Sequence, residues 1–122
     1  LQHMSSDHPE VCDVLSKLTM RMRLDCEYFS SQNVGNSLYG MQGMKSDCPE
    51  VRDLLSEIAI KISDCKQDFR AQEISNSLYG LKSSSSDELE VRDTLSKLAI
   101  EIDNCKEDLD AQGVGNALYG LQ

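Results

Sequence analysis

Apolar residues recur at helical spacing in the middle of the chain. They occupy positions i, i+3, i+4, i+7, i+8 and i+11, which all lie on one face of an α-helix: Val51, Leu54, Leu55, Ile58, Ala59 and Ile62. Asp47 is placed to N-cap this helix, with Pro49 in the first turn and Glu50 three residues after the cap. The polar stretch 63–70 predicts the end of the helix.

A shorter second helix is predicted over about 71–82, with Ile74, Leu78 and Leu81 on its inner face. Ser30 and Asp110 are placed to cap the corresponding helices before and after it. Gly43 and the serine run 83–86 predict turns, and the serine run is interpreted as a plain connecting loop. No stretch alternates with period two, so no strand is expected.

A second apolar position lies on the opposite side of the first helix. Ile60 occupies it, and its counterparts Met20 and Ile100 are also apolar. Because a helix that is apolar on two sides usually packs on both, we expect this helix to have neighbours on two faces.

The whole pattern returns with a fixed step of 40 residues, as the matching segments 36–40, 76–80 and 116–120 show. A period of this length is typical of stacked helical repeats. The sequence therefore predicts an all-α fold, an α-solenoid of three helix–turn–helix hairpins with a 40-residue period, in one continuous domain. The hairpins span 7–46, 47–86 and a truncated 87–122. Residues 1–6 form a leader whose first four residues resemble a remnant of an expression tag.

Neither end of the predicted array carries the polar cap that terminal repeats usually have. We therefore expect a fragment of a longer array, or a chain whose open ends pair with another copy to form a homo-oligomer.

The net charge of −9 is concentrated toward the C-terminal end. Residues 87–122 carry nine acidic and three basic side chains, a net charge of −6. Proteins that bind nucleic acid usually have the opposite sign, since phosphate contacts dominate their affinity. An acidic surface favours a basic protein partner instead. No apolar run reaches the roughly 18 residues of a membrane span, so no membrane association is expected.

The cysteines are odd in number and form no CxxC motif: Cys12, Cys26, Cys48, Cys65 and Cys105. Adjacent packed helices lie about 8–10 Å apart, whereas a disulfide needs Cα atoms within about 7 Å, so a bond between the equivalent Cys65 and Cys105 is not expected. Free, partly buried thiols predict an intracellular location, cytoplasmic or organellar, in a reducing compartment. His8 and Cys12 are four residues apart, but two ligands are too few for a metal site.

One motif recurs in every predicted second helix, with the sequence Asn-Ser/Ala-Leu-Tyr-Gly. Its leucines are predicted core residues: Leu38, Leu78 and Leu118. Its glycines lie within a helix, where glycine costs about 1 kcal/mol relative to alanine, and so predict the close approach of another helix. They are Gly40, Gly80 and Gly120.

The remaining motif residues allow two interpretations and are candidate binding-surface residues. The tyrosines either stack in a ladder or present aromatic faces to a ligand: Tyr39, Tyr79 and Tyr119. The asparagines either bond to a neighbouring loop or repeat, or provide a specificity contact: Asn36, Asn76 and Asn116.

The motif and its surroundings resemble the octotricopeptide repeat and the related repeats found beside RAP domains. The resemblance spans residues 7–122 and rests on one pattern and its counterparts: Gln72, Ile74, Asn76, Leu78, Tyr79, Gly80 and Leu81. Tyrosine stands where that family usually has tryptophan. The resemblance implies an α-solenoid that binds single-stranded RNA, mostly in organelles.

Basic residues at recurring positions are further binding candidates: Arg52, Arg92, Lys17 and Lys97. An aspartate follows each arginine directly, and a recurring Arg–Asp pair can neutralise itself between stacked helices.

No phosphate-binding loop, nucleophile elbow or catalytic carboxylate pair is present, so neither an enzyme nor a cofactor is expected. The sequence favours a non-enzymatic scaffold for protein partners, with single-stranded RNA binding as the alternative. Four basic side chains on one acid-free face would favour RNA, whereas a face dominated by acids would favour protein.

Overall fold

The computed structural model describes residues 5–24 and 27–121. These residues form six helices and no strand: α1 (Pro9–Leu24), α2 (Ser31–Tyr39), α3 (Pro49–Asp64), α4 (Ala71–Gly80), α5 (Leu89–Asn104) and α6 (Ala111–Gly120). The prediction of an all-α fold is confirmed. None of these helices combines the length and the apolar character that crossing a membrane requires.

The helices pack in two layers. In the first layer α1 contacts α3 and α3 contacts α5, and in the second layer α2 contacts α4 and α4 contacts α6. The layers are joined by contacts of α2 with α3 and of α4 with α5. Each helix therefore packs mainly against helices that lie two elements away along the chain.

The core lies between the layers, where the predicted apolar faces meet. Every residue of the predicted α3 face is buried: Val51, Leu54, Leu55, Ile58, Ala59 and Ile62. Ile74, Leu78 and Leu81 of the second layer are buried as well. The helical periodicity thus identified the central core correctly.

The second apolar side of the first-layer helices is not packed. Met20, Ile60 and Ile100 are 54%, 51% and 54% exposed, so the expectation that these side chains would be covered is wrong. The neighbours of α3 are α1, α5 and α2, and the outer face on which Ile60 lies faces solvent. Apolar residues at one angular position do not by themselves require a neighbour there.

Two of the three predicted helix caps are correct. Ser30 Oγ accepts from the Asn33 N–H (3.0 Å), and Asp110 Oδ1 accepts from the Gly113 N–H. The prediction for Asp47 is wrong, because Cys48 is the N-cap residue of α3 and makes no side-chain cap bond. Pro49 occupies the first helical position, so the cap is the residue directly before it.

Close approach of the second-layer helices is confirmed at two of the three motif glycines. A Cβ atom on Gly80 would collide with the Leu38 carbonyl, and one on Gly120 would collide with the Leu78 carbonyl. Gly40 is different, because its nearest contacts are carbonyl oxygens of its own helix at 3.4 and 3.6 Å.

Burial of the motif leucines decreases along the second layer. Leu38 and Leu78 are buried, whereas Leu118 is 61% exposed, so the prediction of a core position is wrong for Leu118. The reason is that α6 contacts α4 on one side and no other described helix.

The turns between helices carry hydrogen bonds that connect neighbouring turns. The Lys45 N–H donates to Ser6 Oγ (3.1 Å), and the Ser85 N–H donates to Ser46 Oγ (2.7 Å). Ser83 Oγ also donates to the Gln42 carbonyl (2.7 Å). The serine run is therefore more than a connecting loop, since it fixes the start of α5 relative to the turn before α3.

Candidate interaction groove

An open groove of about 600 Å³ lies between the N-terminal ends of α4 and α6 and the turns that precede them. Four acidic residues and one arginine line it: Glu73, Glu107, Asp108, Asp110 and Arg70. Two of the candidate asparagines, Asn76 and Asn116, also line it. The groove is therefore polar and mainly acidic.

Glu107 holds the two sides of the groove together. The Ala71 N–H at the start of α4 donates to Glu107 Oε1 (2.9 Å), and Arg70 Nε lies 3.4 Å from Glu107 Oε2. The bond from Ala71, with a smaller contribution from Arg70, lowers the pKa of Glu107. Gln67 likewise caps the start of α2, because its side-chain oxygen accepts from the Ser31 N–H (3.2 Å).

The floor of the groove is held by Ser75, whose hydroxyl donates to the Gly113 carbonyl (3.2 Å). Glu73 lies beside it on α4, and its Oε2 atom is buried and has no hydrogen-bond partner in the described part of the chain. Asp110 is occupied by the cap of α6. The groove therefore combines a fixed backbone with a carboxylate oxygen that lacks a donor.

Two of the candidate asparagines lie in the groove and one lies outside it. Asn76 is half-buried and Asn116 is exposed within the groove, whereas Asn36 is exposed outside it. Within residues 5–24 and 27–121, none of the three side chains makes a hydrogen bond to protein. The expected bond to a neighbouring loop or repeat is therefore not seen, and these amides remain available to a ligand.

The candidate tyrosines form a ladder, as one of the two interpretations predicted. Tyr79 stacks on Tyr39 (5.6 Å, 23°) and on Tyr119 (5.6 Å, 19°). Lys82 Nζ lies 4.5 Å from the centre of the Tyr79 ring and donates to its hydroxyl (3.1 Å). Tyr79 is stacked on both faces, whereas the end rings Tyr39 and Tyr119 remain 36% and 49% exposed. The ladder thus stabilises the second layer.

The two candidate arginines bind the turns that precede their own helices. Arg52 Nη1 donates to the Ser46 carbonyl (3.0 Å), and Arg92 Nη1 donates to the carbonyls of Ser86 (2.8 Å) and Asp87 (3.0 Å). Their charges are not neutralised by the aspartates that follow them, as the sequence had suggested. Arg52 instead lies near Glu88 at the start of α5 (3.9 Å).

The candidate lysines lie elsewhere on the first layer. Lys17 pairs with Asp13 (3.1 Å) on the surface of α1, and Lys97 is half-buried on α5. None of the four basic candidates lines the acidic groove, so the structure does not bring them to that site.

A second cavity of about 330 Å³ lies between α1, α2 and α3 and has a mainly apolar lining, including Leu15, Leu18, Met22, Phe29 and Met41. It contains none of the candidate residues. The acidic groove is thus the better match to the polar residues that the sequence singled out.

A cluster of two thiols and a carboxylate, which was not among the residues predicted from the sequence, joins α1 to the start of α3. Cys12 Sγ lies 3.6 Å from Cys48 Sγ, and Cys48 Sγ donates to Glu50 Oε2 (3.0 Å). Burial, followed by the bond to Glu50, raises the pKa of the Cys48 thiol to about 11. The sequence did hold a signal for this contact. Arg52 and Glu88 lie 40 residues after Cys12 and Cys48, and they are oppositely charged, as two positions in contact often are. The equivalent pair in the structure, with the same 36-residue separation, is in contact in both places.

Four cysteines are free and half-buried in the structure: Cys12, Cys48, Cys65 and Cys105. Cys26 lies outside the described residues, as do residues 1–4 of the expected leader.

The fold and the groove define this chain as an all-helical protein with an acidic surface groove. No protein-family model, curated protein or solved structure matches it.

Proposed function

We propose that this chain is a non-enzymatic α-solenoid of 40-residue hairpins that acts as a scaffold for a protein partner and binds a basic segment of that partner in the acidic groove. The proposed architecture is supported by the even placement of the first-layer helices, since α1, α3 and α5 are each 16 residues long and begin 40 residues apart. It is supported further by the packing of each helix on its counterpart in the next hairpin.

The observation that carries the proposed function is the excess of carboxylates in the groove. Four acidic side chains and one arginine line it, and the exposed Asp108 carboxylate can accept from a lysine or arginine. Clefts lined by one sign of charge concentrate field lines and raise the rate of encounter with oppositely charged partners. A net charge of −9 acts in the same direction.

Single-stranded RNA of the octotricopeptide type is the second candidate. It is favoured by the unbonded amides of Asn76 and Asn116 in the groove and by the cation of Lys82 above the tyrosine ladder. Carboxylates beside those amides would repel phosphates, and the ladder already uses both faces of the Tyr79 ring, which a stacked base would need. The protein scaffold is therefore the better-supported function.

The scaffold is tested by titrating the chain with a fluorescent Lys/Arg-rich peptide and measuring anisotropy. The variant Glu73→Gln/Asp108→Asn should weaken binding about tenfold, because each exposed charge pair contributes about 0.2–1 kcal/mol. The variant Asp93→Asn/Asp103→Asn removes the same charge from α5 outside the groove, and it should weaken binding much less. Equal losses in the two variants, or no binding by the unmodified chain, would contradict the proposal.

The RNA candidate is tested with a random single-stranded pool at several salt concentrations. Absence of binding at low salt eliminates it. Binding that weakens steeply with salt, and that survives the groove variant, would replace the scaffold with an RNA-binding function.

A further inference from the structure

Three metal-ligating side chains meet where α1 packs against the start of α3. Cys12 comes from the first turn of α1, Cys48 is the N-cap residue of α3, and Glu50 lies in the first turn of α3. One ligand atom from each lies within 4.8 Å of the other two, and all three residues are half-buried. The ligands therefore come from two helices and converge on one point.

The two known distances lie close to those around a tetrahedral zinc ion. A Zn–S bond of about 2.3 Å places two coordinating sulfurs about 3.8 Å apart in a tetrahedron, and the two sulfurs here are 3.6 Å apart. A carboxylate oxygen in the same tetrahedron lies about 3.6 Å from each sulfur, and Glu50 Oε2 lies 3.0 Å from Cys48 Sγ. For these two pairs, shifts of less than 1 Å would reach the distances of a zinc tetrahedron.

The equivalent place between α3 and α5 shows what this position does in the fold. Arg52 and Glu88, each 40 residues beyond a cysteine of the pair, lie 3.9 Å apart there and join the two helices through opposite charges. Between α1 and α3 both positions are thiols, so the opposite charges are missing. A bound cation would supply an ionic bridge at this position, in addition to the ion pair of Arg23 Nε with Glu57 Oε1 (2.8 Å) that already joins α1 to α3.

We propose that Cys12, Cys48 and Glu50 bind one Zn²⁺ ion that bridges α1 and α3, with water as the fourth ligand. Thiolates select zinc over magnesium or calcium, and coordination to the cation favours the thiolate form of each cysteine over the thiol. Each thiol that coordinates releases one proton to solvent, and no oxidant or reductant is needed. The site goes beyond the proposed scaffold, because it lies apart from the groove and serves the packing of the first layer.

The site is tested on the reduced full chain, kept in a non-thiol reductant. Zn²⁺ is titrated in competition with a chromophoric chelator, and Co²⁺ is used as a spectroscopic probe of tetrahedral thiolate ligation. We expect one ion per chain, a thiolate-to-cobalt charge-transfer band, and a melting temperature that rises with Zn²⁺ and falls again on chelation. Glu50→Gln should weaken Zn²⁺ binding about tenfold, equivalent to about 1.4 kcal/mol.

Matched variants separate the site from other thiols. Cys12→Ser and Cys48→Ser should each abolish the cobalt band, whereas Cys65→Ser should leave it unchanged. Cys12→Arg/Cys48→Glu rebuilds the ion pair of the α3–α5 interface, and we expect this variant to remain helical by circular dichroism and to bind no metal.

Three results would overturn the site. They are the absence of binding at micromolar Zn²⁺, a cobalt band that persists in both cysteine-to-serine variants, and a Cys12–Cys48 disulfide that forms in air in a chain showing no cobalt band. The last result would identify the pair as a redox bridge.

Discussion

Gly80 lies where α4 comes closest to α2, and alanine in its place would meet the Leu38 carbonyl. Gly80→Ala gains helix propensity but forces the two backbones apart, and overpacking of this kind typically costs about 1–3 kcal/mol. We therefore expect a lower free energy of unfolding, measured by urea denaturation followed by circular dichroism.

Gly115 is the matched control, because a Cβ atom there would meet nothing within 4 Å. Gly115→Ala should stabilise the chain by up to about 1 kcal/mol, since only helix propensity changes. If Gly80→Ala were also stabilising, the close approach of α2 and α4 would be wrong.

At the scale of residues, the repeated motif predicted a close helix approach correctly at Gly80 and Gly120 and wrongly at Gly40. The repeated motif pointed to Gly80 and Gly120 because glycine within a helix is unfavourable. Its recurrence at the same position indicates that another helix passes close by. Repetition did not identify the pair of Cys12 and Cys48, because these positions are not equivalent in the period and meet only through the packing of α1 on α3.

Among the helices, the N-terminus of α4 is stabilised by a side chain from outside the helix. Glu107 accepts from Ala71, and that bond holds the pKa of Glu107 below its ordinary value of 4.5. A carboxyl with a lowered pKa in the folded state contributes stability that is present above its unfolded pKa. That contribution is lost as the pH falls through the folded pKa, because both states are then protonated.

We therefore expect Glu107→Gln to destabilise the chain at pH 7 and to have little effect well below pH 4. The difference in free energy of unfolding between the two proteins, followed by urea denaturation across this range, measures the effect. Gln67→Glu is the reciprocal control, since it puts a carboxylate opposite the Ser31 N–H and should create the same acid sensitivity at α2. A Glu107→Gln effect that did not change with pH would show that the bond to Ala71 needs no charge.

The helices themselves were predictable because their apolar periodicity is strong and local. The same periodicity wrongly predicted that the outer face of α3 would be covered. It gives the angular position of Ile60 around the helix but not whether another helix packs there. The caps supplied by Gln67 and Glu107 were not predictable, because each comes from a turn 36 residues further along the chain.

At the scale of the whole molecule, burial of the motif leucines falls along the second layer from α2 through α4 to α6. Leu38→Ala removes a fully buried side chain and should cost about 2–5 kcal/mol, whereas Leu118→Ala removes an exposed one and should change stability by less than about 0.5 kcal/mol. Chemical denaturation of the two variants measures the contrast. Similar costs at the two positions would mean that Leu118 is covered in solution, for example by a second copy of the chain.

The acidic groove could be predicted in charge but not in position. The excess of carboxylates in the C-terminal part of the sequence is evident from composition. Their convergence with Arg70 and Glu73 depends on α6 packing against α4, which brings the turn at 105–110 beside the turn at 65–70. The basic candidates do not reach the groove for a related reason. Arg52 and Arg92 each donate hydrogen bonds to carbonyl groups of the turn that precedes their own helix.

The bonds between turns also limit which changes of length the chain can accept. Surface turns ordinarily tolerate insertions, but here Ser6 and Ser46 accept from amides 39 residues ahead, and Gln67 and Glu107 accept from amides 36 residues behind. One added or deleted residue in a turn would displace a donor from its acceptor and disturb the next contact along the layer. Substitutions at the exposed turn positions are therefore far easier to accommodate than insertions or deletions.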